Sequence, residues 1–109
     1  MNPTCIVTTT CSDRDVLETI SRTLVESRLA ACCQISGPIT SIYRWEGKIE
    51  TGEEWVCQIK TVTDHLKTIK AKIKHLHSYD EPEIVMMTID GGSQSYLDWI
   101  RSECSPKGE

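Results

Sequence analysis

Two β-branched, aromatic-rich runs meet at Trp45-Glu46-Gly47-Lys48, and no other stretch restricts the fold as strongly. Ile35, Ile39, Ile42 and Tyr43 precede this pivot; Ile49, Trp55, Val56, Cys57 and Ile59 follow it. Such runs around an acidic–Gly pair predict an antiparallel hairpin with a short turn. Gly47 supplies the positive φ of a primed turn without a Cβ penalty. Between Cys32 and Thr61 each arm holds about 12–15 residues, hence roughly 40–50 Å at ~3.3 Å per residue. A chain of 109 residues has a radius of gyration of only about 13 Å. The hairpin must therefore curl, bend at a bulge, or project. Projection leaves open strand edges and unburied Trp and Tyr faces, which demand a partner. Trp45, Glu46, Gly47, Lys48 and Trp55 are the expected oligomer interface.

The length suits one domain, residues 1–109, able to bury about two-thirds of its unfolded surface without staples. Asp and Glu outnumber Lys and Arg by 16 to 12, a net charge of −4. That sign argues against non-specific nucleic-acid and anionic-membrane binding, so subunit packing is the better use of Trp45, Trp55 and Trp99 than stacking on bases. Met1-Asn2-Pro3-Thr4 lacks a charged segment followed by a long apolar one, and no run approaches the ~18 apolar residues of a membrane helix. The expected location is the cytoplasm, where thiols stay reduced. Cys5, Cys11, Cys32, Cys33, Cys57 and Cys104 then read as reduced thiols, several of them small buried hydrophobes. No CxxC is present, which excludes a zinc ribbon and a thioredoxin-type pair.

Around the hairpin the chain alternates strands and helices. Cys5–Thr10 reads as a strand, and Ser12 or Asp13 caps a helix whose stripe is Val16, Leu17, Ile20, Leu24 and Val25, running to about Leu29. Gly37-Pro38 marks an edge, a bulge or a bend in the second strand, and Gly52-Glu53-Glu54 an irregularity in the returning arm. Asp64 is the expected cap of a second helix with the stripe Leu66, Ile69, Ile73 and Leu76. A polar loop, His77–Glu83, leads to a strand over Ile84–Ile89. Ser95-Tyr96-Leu97-Asp98 has capping-box spacing for a last short helix, and Ser105–Glu109 should fray. The order βαββαβ plus a C-terminal helix predicts an α+β, ferredoxin-like split-βαβ sandwich, with the first and third strands central.

Five ordered blocks resemble the CutA family, the divalent-cation-tolerance proteins, over nearly the whole chain. They are Arg28–Cys32, Ile39–Glu50, Ile59-Lys60-Thr61, His77-Ser78-Tyr79 with Pro82-Glu83, and Tyr96–Ile100. The resemblance implies a homotrimer whose long hairpins pair across subunits, with an architecture like the PII signalling proteins. Two departures stand out: Ser78 replaces the usual proline of a His-Pro-Tyr loop, and Cys33 adds a second thiol beside Cys32.

The family resemblance makes copper or another divalent metal the expected cofactor, since thiolate and imidazole suit such ions. The candidate ligands are Cys11, Cys32 and His77, with Cys33 and Glu83 further possibilities. Strand alternation sends Cys32 and Cys33 to opposite faces. A second expectation is a PII-like module with a small ligand in an intersubunit cleft: Lys60 meets an anionic group, Tyr43 or Tyr79 stacks on a ring, and Glu83 accepts hydrogen bonds. A third is an assembly scaffold without its own metal function. No enzyme is expected: the chain lacks a phosphate loop, a Gly-x-Ser-x-Gly elbow and a His-Glu-x-x-His.

Overall fold

The β-branched run Thr4–Cys11 forms strand β1. In this computed structural model, which describes residues 2–106, Met1 and the Lys107–Glu109 part of the expected frayed tail lie outside the described residues. Helix α1 (Arg14–Glu26) starts at Asp13, whose carboxylate accepts the Asp15 N–H at 2.9 Å. It ends short of Leu29 because Arg28 adopts φ 62°, which a helix cannot accommodate. Strands β2 (Cys32–Trp45) and β3 (Lys48–Val62) follow, then a 3-10 turn (Thr63–His65), α2 (Leu66–Leu76), β4 (Val85–Thr88) and α3 (Gln94–Glu103).

Two expected caps are displaced. Asp64 sits inside the 3-10 turn and does not cap α2, which His65 precedes with no side-chain cap. Helix α3 begins after Ser93, so Ser95 is already helical. Asp98 instead accepts from Gln94 Nε2 and Arg101 Nη1, at 2.9 and 3.0 Å, along the helix surface.

The sheet order is β2-β3-β1-β4, with every neighbouring pair antiparallel. The first and third strands are central, as two helical crossovers require, and the fold is α+β and ferredoxin-like. One sheet face carries Val7, Cys57 and Ile59 against Leu17, Ile20 and Leu24 of α1 and Ile69 and Ile73 of α2, all fully buried. Each large aliphatic side chain there contributes about 1.5–3 kcal/mol by leaving water. Alternation turns Ile6, Thr8, Val56, Gln58, Lys60, Val85 and Met87 to the other face. That face is only partly covered: Met87 is 55% exposed. A smaller cluster of Val62, Ile100 and Cys104 seats α3 at the sheet's end. Arg28 holds the exit of α3 by donating to the Ser105 and Ser102 carbonyls.

The hairpin has arms of 14 and 15 residues and projects, stretching the molecule to 48 × 26 × 21 Å with a radius of gyration of 14.7 Å. Its turn is of type I′: Glu46 at φ 50° and Gly47 at φ 79° both adopt positive φ. The bulge falls in β2, between Ser36 and Ile39, at Gly37-Pro38. Gly52-Glu53-Glu54, expected to be irregular, pairs regularly with Ser41, Thr40 and Ile39. The extra residue on β2 absorbs the irregularity, so the returning arm stays regular. No described helix is long and apolar enough to cross a membrane.

Candidate functional site

Where the hairpin leaves the sheet, the loop after α2 folds against it and encloses a cleft of about 560 Å³. The loop is held by three residues in succession. His77 is buried, and its Nδ1 accepts the Tyr79 N–H at 3.0 Å. That leaves the proton on Nε2, which donates to the Thr10 carbonyl at 2.7 Å. The Ser78 hydroxyl lies 3.4 Å from Cys11 Sγ, which ties the loop to β1. The Tyr79 ring packs on His77 with centroids 4.7 Å apart. Its hydroxyl accepts the Ser12 N–H at 2.9 Å and donates to Glu54 Oε2 at 2.8 Å. Burial, reinforced by the Glu54 carboxylate and opposed by the Ser12 donor, pushes the Tyr79 phenol above its ordinary range. Tyr79 is thus a neutral donor that couples the loop, the start of α1 and the hairpin arm.

Removing that hydroxyl tests the coupling. Tyr79→Phe is expected to cost about 1–2 kcal/mol, one charge-assisted bond and one neutral bond in a half-buried setting. Chemical denaturation at neutral pH measures it, and an unchanged midpoint would show that the bridge holds nothing.

The ionisable lining of the cleft, the phenols of Tyr43 and Tyr79 apart, is acidic throughout: Glu53, Glu54, Asp80, Glu81 and Glu83, with no Lys, Arg or His. Tyr43 and Trp45 provide aromatic wall on the hairpin side. The Thr10 hydroxyl donates to Glu83 Oε1 at 3.4 Å. Three of the four expected ligand-cleft residues, Tyr43, Tyr79 and Glu83, therefore converge. Lys60 does not. It lies on the partly open sheet face, where its ammonium group meets the Tyr96 hydroxyl at 3.4 Å and sits 5.4 Å from that ring's centroid. Without Lys60 the cleft has the opposite sign to the one expected, and suits cations.

The metal candidates are divided. Cys11 and His77 are near one another, since His77 bonds to Thr10 and Cys11 meets Ser78. Both His77 ring nitrogens are engaged, however, and Cys11 is fully buried. Cys32 pairs with Lys60 in the ladder and shares that residue's face of the sheet. Among the described residues, no three His, Cys, Asp or Glu side chains are grouped so as to hold a metal. Trp55, assigned to the interface, packs on the edge of its own core with the Arg14 guanidinium 5.7 Å from its ring centroid. Sequence reading passed over Glu53, Glu54, Asp80 and Glu81. The available signal was charge patterning: two short acidic runs, each beside an aromatic residue, on segments 25 residues apart in the Tyr79–Glu54 contact.

Relatives carry the same architecture. The model of the CutA1 divalent ion tolerance protein family matches residues 5–103. The divalent-cation tolerance protein CutA of Thermus thermophilus is 43% identical over 96 residues, which make up 88% of this chain and 93% of that protein. The chloroplastic Protein CutA of Arabidopsis thaliana is 34% identical over 92% of this chain, which spans only 55% of that protein's length. The crystal structure of CutA from Xylella fastidiosa superposes with a TM-score of 0.91 at 38% identity, covering 94% of this chain and 99% of that one. Sequence and structure agree in these matches, and the chain is a member of the CutA1 divalent ion tolerance family.

Proposed function

We propose that the chain serves divalent-cation tolerance by binding the cation itself, as a homotrimer, and that each subunit meets the ion in the carboxylate cleft. The observation that supports this most is the sign of the lining: five acidic residues and no basic one line the cavity. Because no three ligands of one subunit converge, the fit is to a hydrated ion held through its water shell and by long-range attraction. Hard divalent ions are commonly bound in that way. Copper(II) and other tolerance-type ions enter on the same electrostatic terms. The soft-donor alternative at Cys11, Cys32 and His77 requires His77 to give up a buried hydrogen bond.

Trp45 lines the cleft, so its fluorescence reports occupancy when Trp55 and Trp99 are replaced by phenylalanine. In that background, titration with manganese(II) and with copper(II) should be weakened about 10- to 100-fold by Glu53→Gln/Glu54→Gln/Glu81→Gln, from roughly 0.5–1 kcal/mol per charge in a wet site. Affinity unchanged by removing three charges would refute the cleft as the cation site. The aromatic wall favours a second reading, a PII-like role with a small organic cation, since Tyr43 and Trp45 offer ring faces beside the carboxylates. Read by isothermal titration calorimetry, a bare metal ion would bind equally well with Trp45→Leu, whereas an organic cation would not.

A further inference from the structure

Helix α2 carries a charge pattern that its own subunit does not neutralise. Its eleven residues, Leu66–Leu76, hold four lysines and no carboxylate. Ile69 and Ile73 turn into the core, while Lys67, Lys70 and Lys74 fall at i, i+3 and i+7 on one exposed flank. Like charges at that spacing destabilise a helix. Lys67 also stands in the first turn, where the helix dipole favours anions and no acidic residue is present. Helix α1 is built the opposite way: Glu18 accepts from Arg14 at 3.0 Å and from Arg22 at 3.2 Å. Among the described residues, no ion pair involves a lysine of α2.

The carboxylate cleft is the complementary surface. Glu54 is held by the Tyr79 hydroxyl and Glu83 by the Thr10 hydroxyl. The other three acidic residues of the lining, Glu53, Asp80 and Glu81, are exposed, and their carboxylates have no hydrogen bond or ion pair among the described residues. The α2 lysines do not reach them within the subunit, although the loop that carries Asp80 and Glu81 follows directly from α2. A second molecule brings the counter-charge in equal number. The shapes agree as well: the cleft is a hollow of about 560 Å³, and the lysine flank is a convex ridge whose three side chains span about 10 Å along the axis. A lysine reaches out with a compact ammonium on a four-carbon stem, and Tyr43 and Trp45 in the cleft wall offer ring faces to it.

We propose that the lysine flank of α2 docks into the carboxylate cleft of a second copy of this chain, joining one oligomer to the next. The two patches differ, so the contact is heterologous, head to tail, and every molecule offers both halves of it. It rests on the reading of the cleft as a cation site, with an alkylammonium group in the place of the ion. Exposed ion pairs are individually weak and are screened by salt. The association is therefore of low affinity and salt-dependent, and it is separate from the apolar interface at the hairpin tip.

Sedimentation velocity on the full-length, reduced protein in chelator tests this over a concentration series. At about 10 mM ionic strength, where charges act over about 30 Å, the mass should climb beyond the basic oligomer as concentration rises. At about 150 mM, where that reach is about 8 Å, it should fall back. Lys67→Gln/Lys70→Gln/Lys74→Gln and Glu53→Gln/Asp80→Asn/Glu81→Gln should each need at least ~10-fold more protein to reach the same mass, the loss expected of three exposed pairs. Mixed in equal amounts, the two variants should associate with each other, because one keeps the cleft and the other keeps the lysines. Wild type that stays at the basic mass at low salt overturns the proposal. So does association of either variant alone at wild-type strength, or a mixture no heavier than its components. Manganese(II) binding by the lysine variant should equal wild type, since none of these lysines lines the cleft. Association lost with manganese(II) binding kept removes this contact alone, whereas association by a protein that binds no manganese(II) removes the metal reading alone.

Discussion

Gly37→Ala is expected to destabilise the fold by about 2–5 kcal/mol, although Gly37 is exposed. Two costs combine. Gly37 adopts φ 141°, a backbone conformation that an L side chain rarely enters, and holding a non-Gly residue in such a region costs on the order of 1–3 kcal/mol. A Cβ placed there would also stand 3.0 Å from Trp55 Cε3, 3.2 Å from the Glu54 carbonyl oxygen and 3.2 Å from Trp55 Cα. Two of those three atoms are backbone of the paired strand and cannot rotate away, so overpacking adds about 1–3 kcal/mol. Relief would require β2 to lift off β3 at the bulge, where Trp55 joins the core edge. Gly91→Ala is the control, because nothing lies within 4 Å of a Cβ there. Thermal unfolding of both variants checks this: a loss of ~2–5 kcal/mol lowers the midpoint by at least about 8 °C in a chain of this size. Equal midpoints for the two alanine variants would mean that the bulge is soft and Gly37 incidental.

The bulge also marks how far local pattern carries. Gly37-Pro38 announces an interruption because proline cannot serve a ladder, but which arm absorbs it depends on pairing. The register puts the extra residue in β2 and leaves Gly52-Glu53-Glu54 regular. Helical stripes were legible for the same reason that strands were: Leu17, Ile20 and Leu24, then Ile69 and Ile73, must face a common core and end fully buried. Caps were less legible. Asp64 and Ser95 have cap-forming side chains, yet a 3-10 turn and an earlier start at Ser93 displaced them by a residue or two. Glu46 at positive φ was hidden behind Gly47, since one glycine satisfies the pattern while a type I′ turn needs two such residues.

The site shows the same division. Alternation along β3 already separated Lys60 from Trp55, Cys57 and Ile59, and the structure carries it to Tyr96. Grouping it with Tyr43, Tyr79 and Glu83 drew on architecture more than on residues. Long-range partners were not legible at all. Tyr79 to Glu54 and His77 to Thr10 are contacts set by register and loop closure. A single sequence holds no local signal for them beyond the presence of the residue types.

Trp45→Ala is expected to have the largest effect on assembly. At the tip of the ribbon both faces are apolar and open: Ile42 is 70%, Ile49 62% and Trp45 57% exposed. Ladder pairing places Trp45 across from Lys48, and Ile49 across from Arg44, so neither face is shielded by the other strand. An isolated two-stranded ribbon is marginal in water, and an exposed tryptophan beside exposed isoleucines is the composition of an interface hot spot. In the proposed homotrimer, closing the ring uses Trp45 three times. If each copy contributes ~2 kcal/mol of apolar burial, one substitution removes ~6 kcal/mol, or about 10⁴-fold in the trimer's association constant. Native mass spectrometry at low micromolar concentration should then show the wild type as a trimer and Trp45→Ala mainly as monomer, with circular dichroism little changed because the core lies under α1 and α2. Val25→Ala, on the outer side of α1 and 41% exposed, should leave the mass as it was. A Trp45→Ala protein that remains trimeric would move the interface off the hairpin tip and onto the open sheet face of Met87 and Val85.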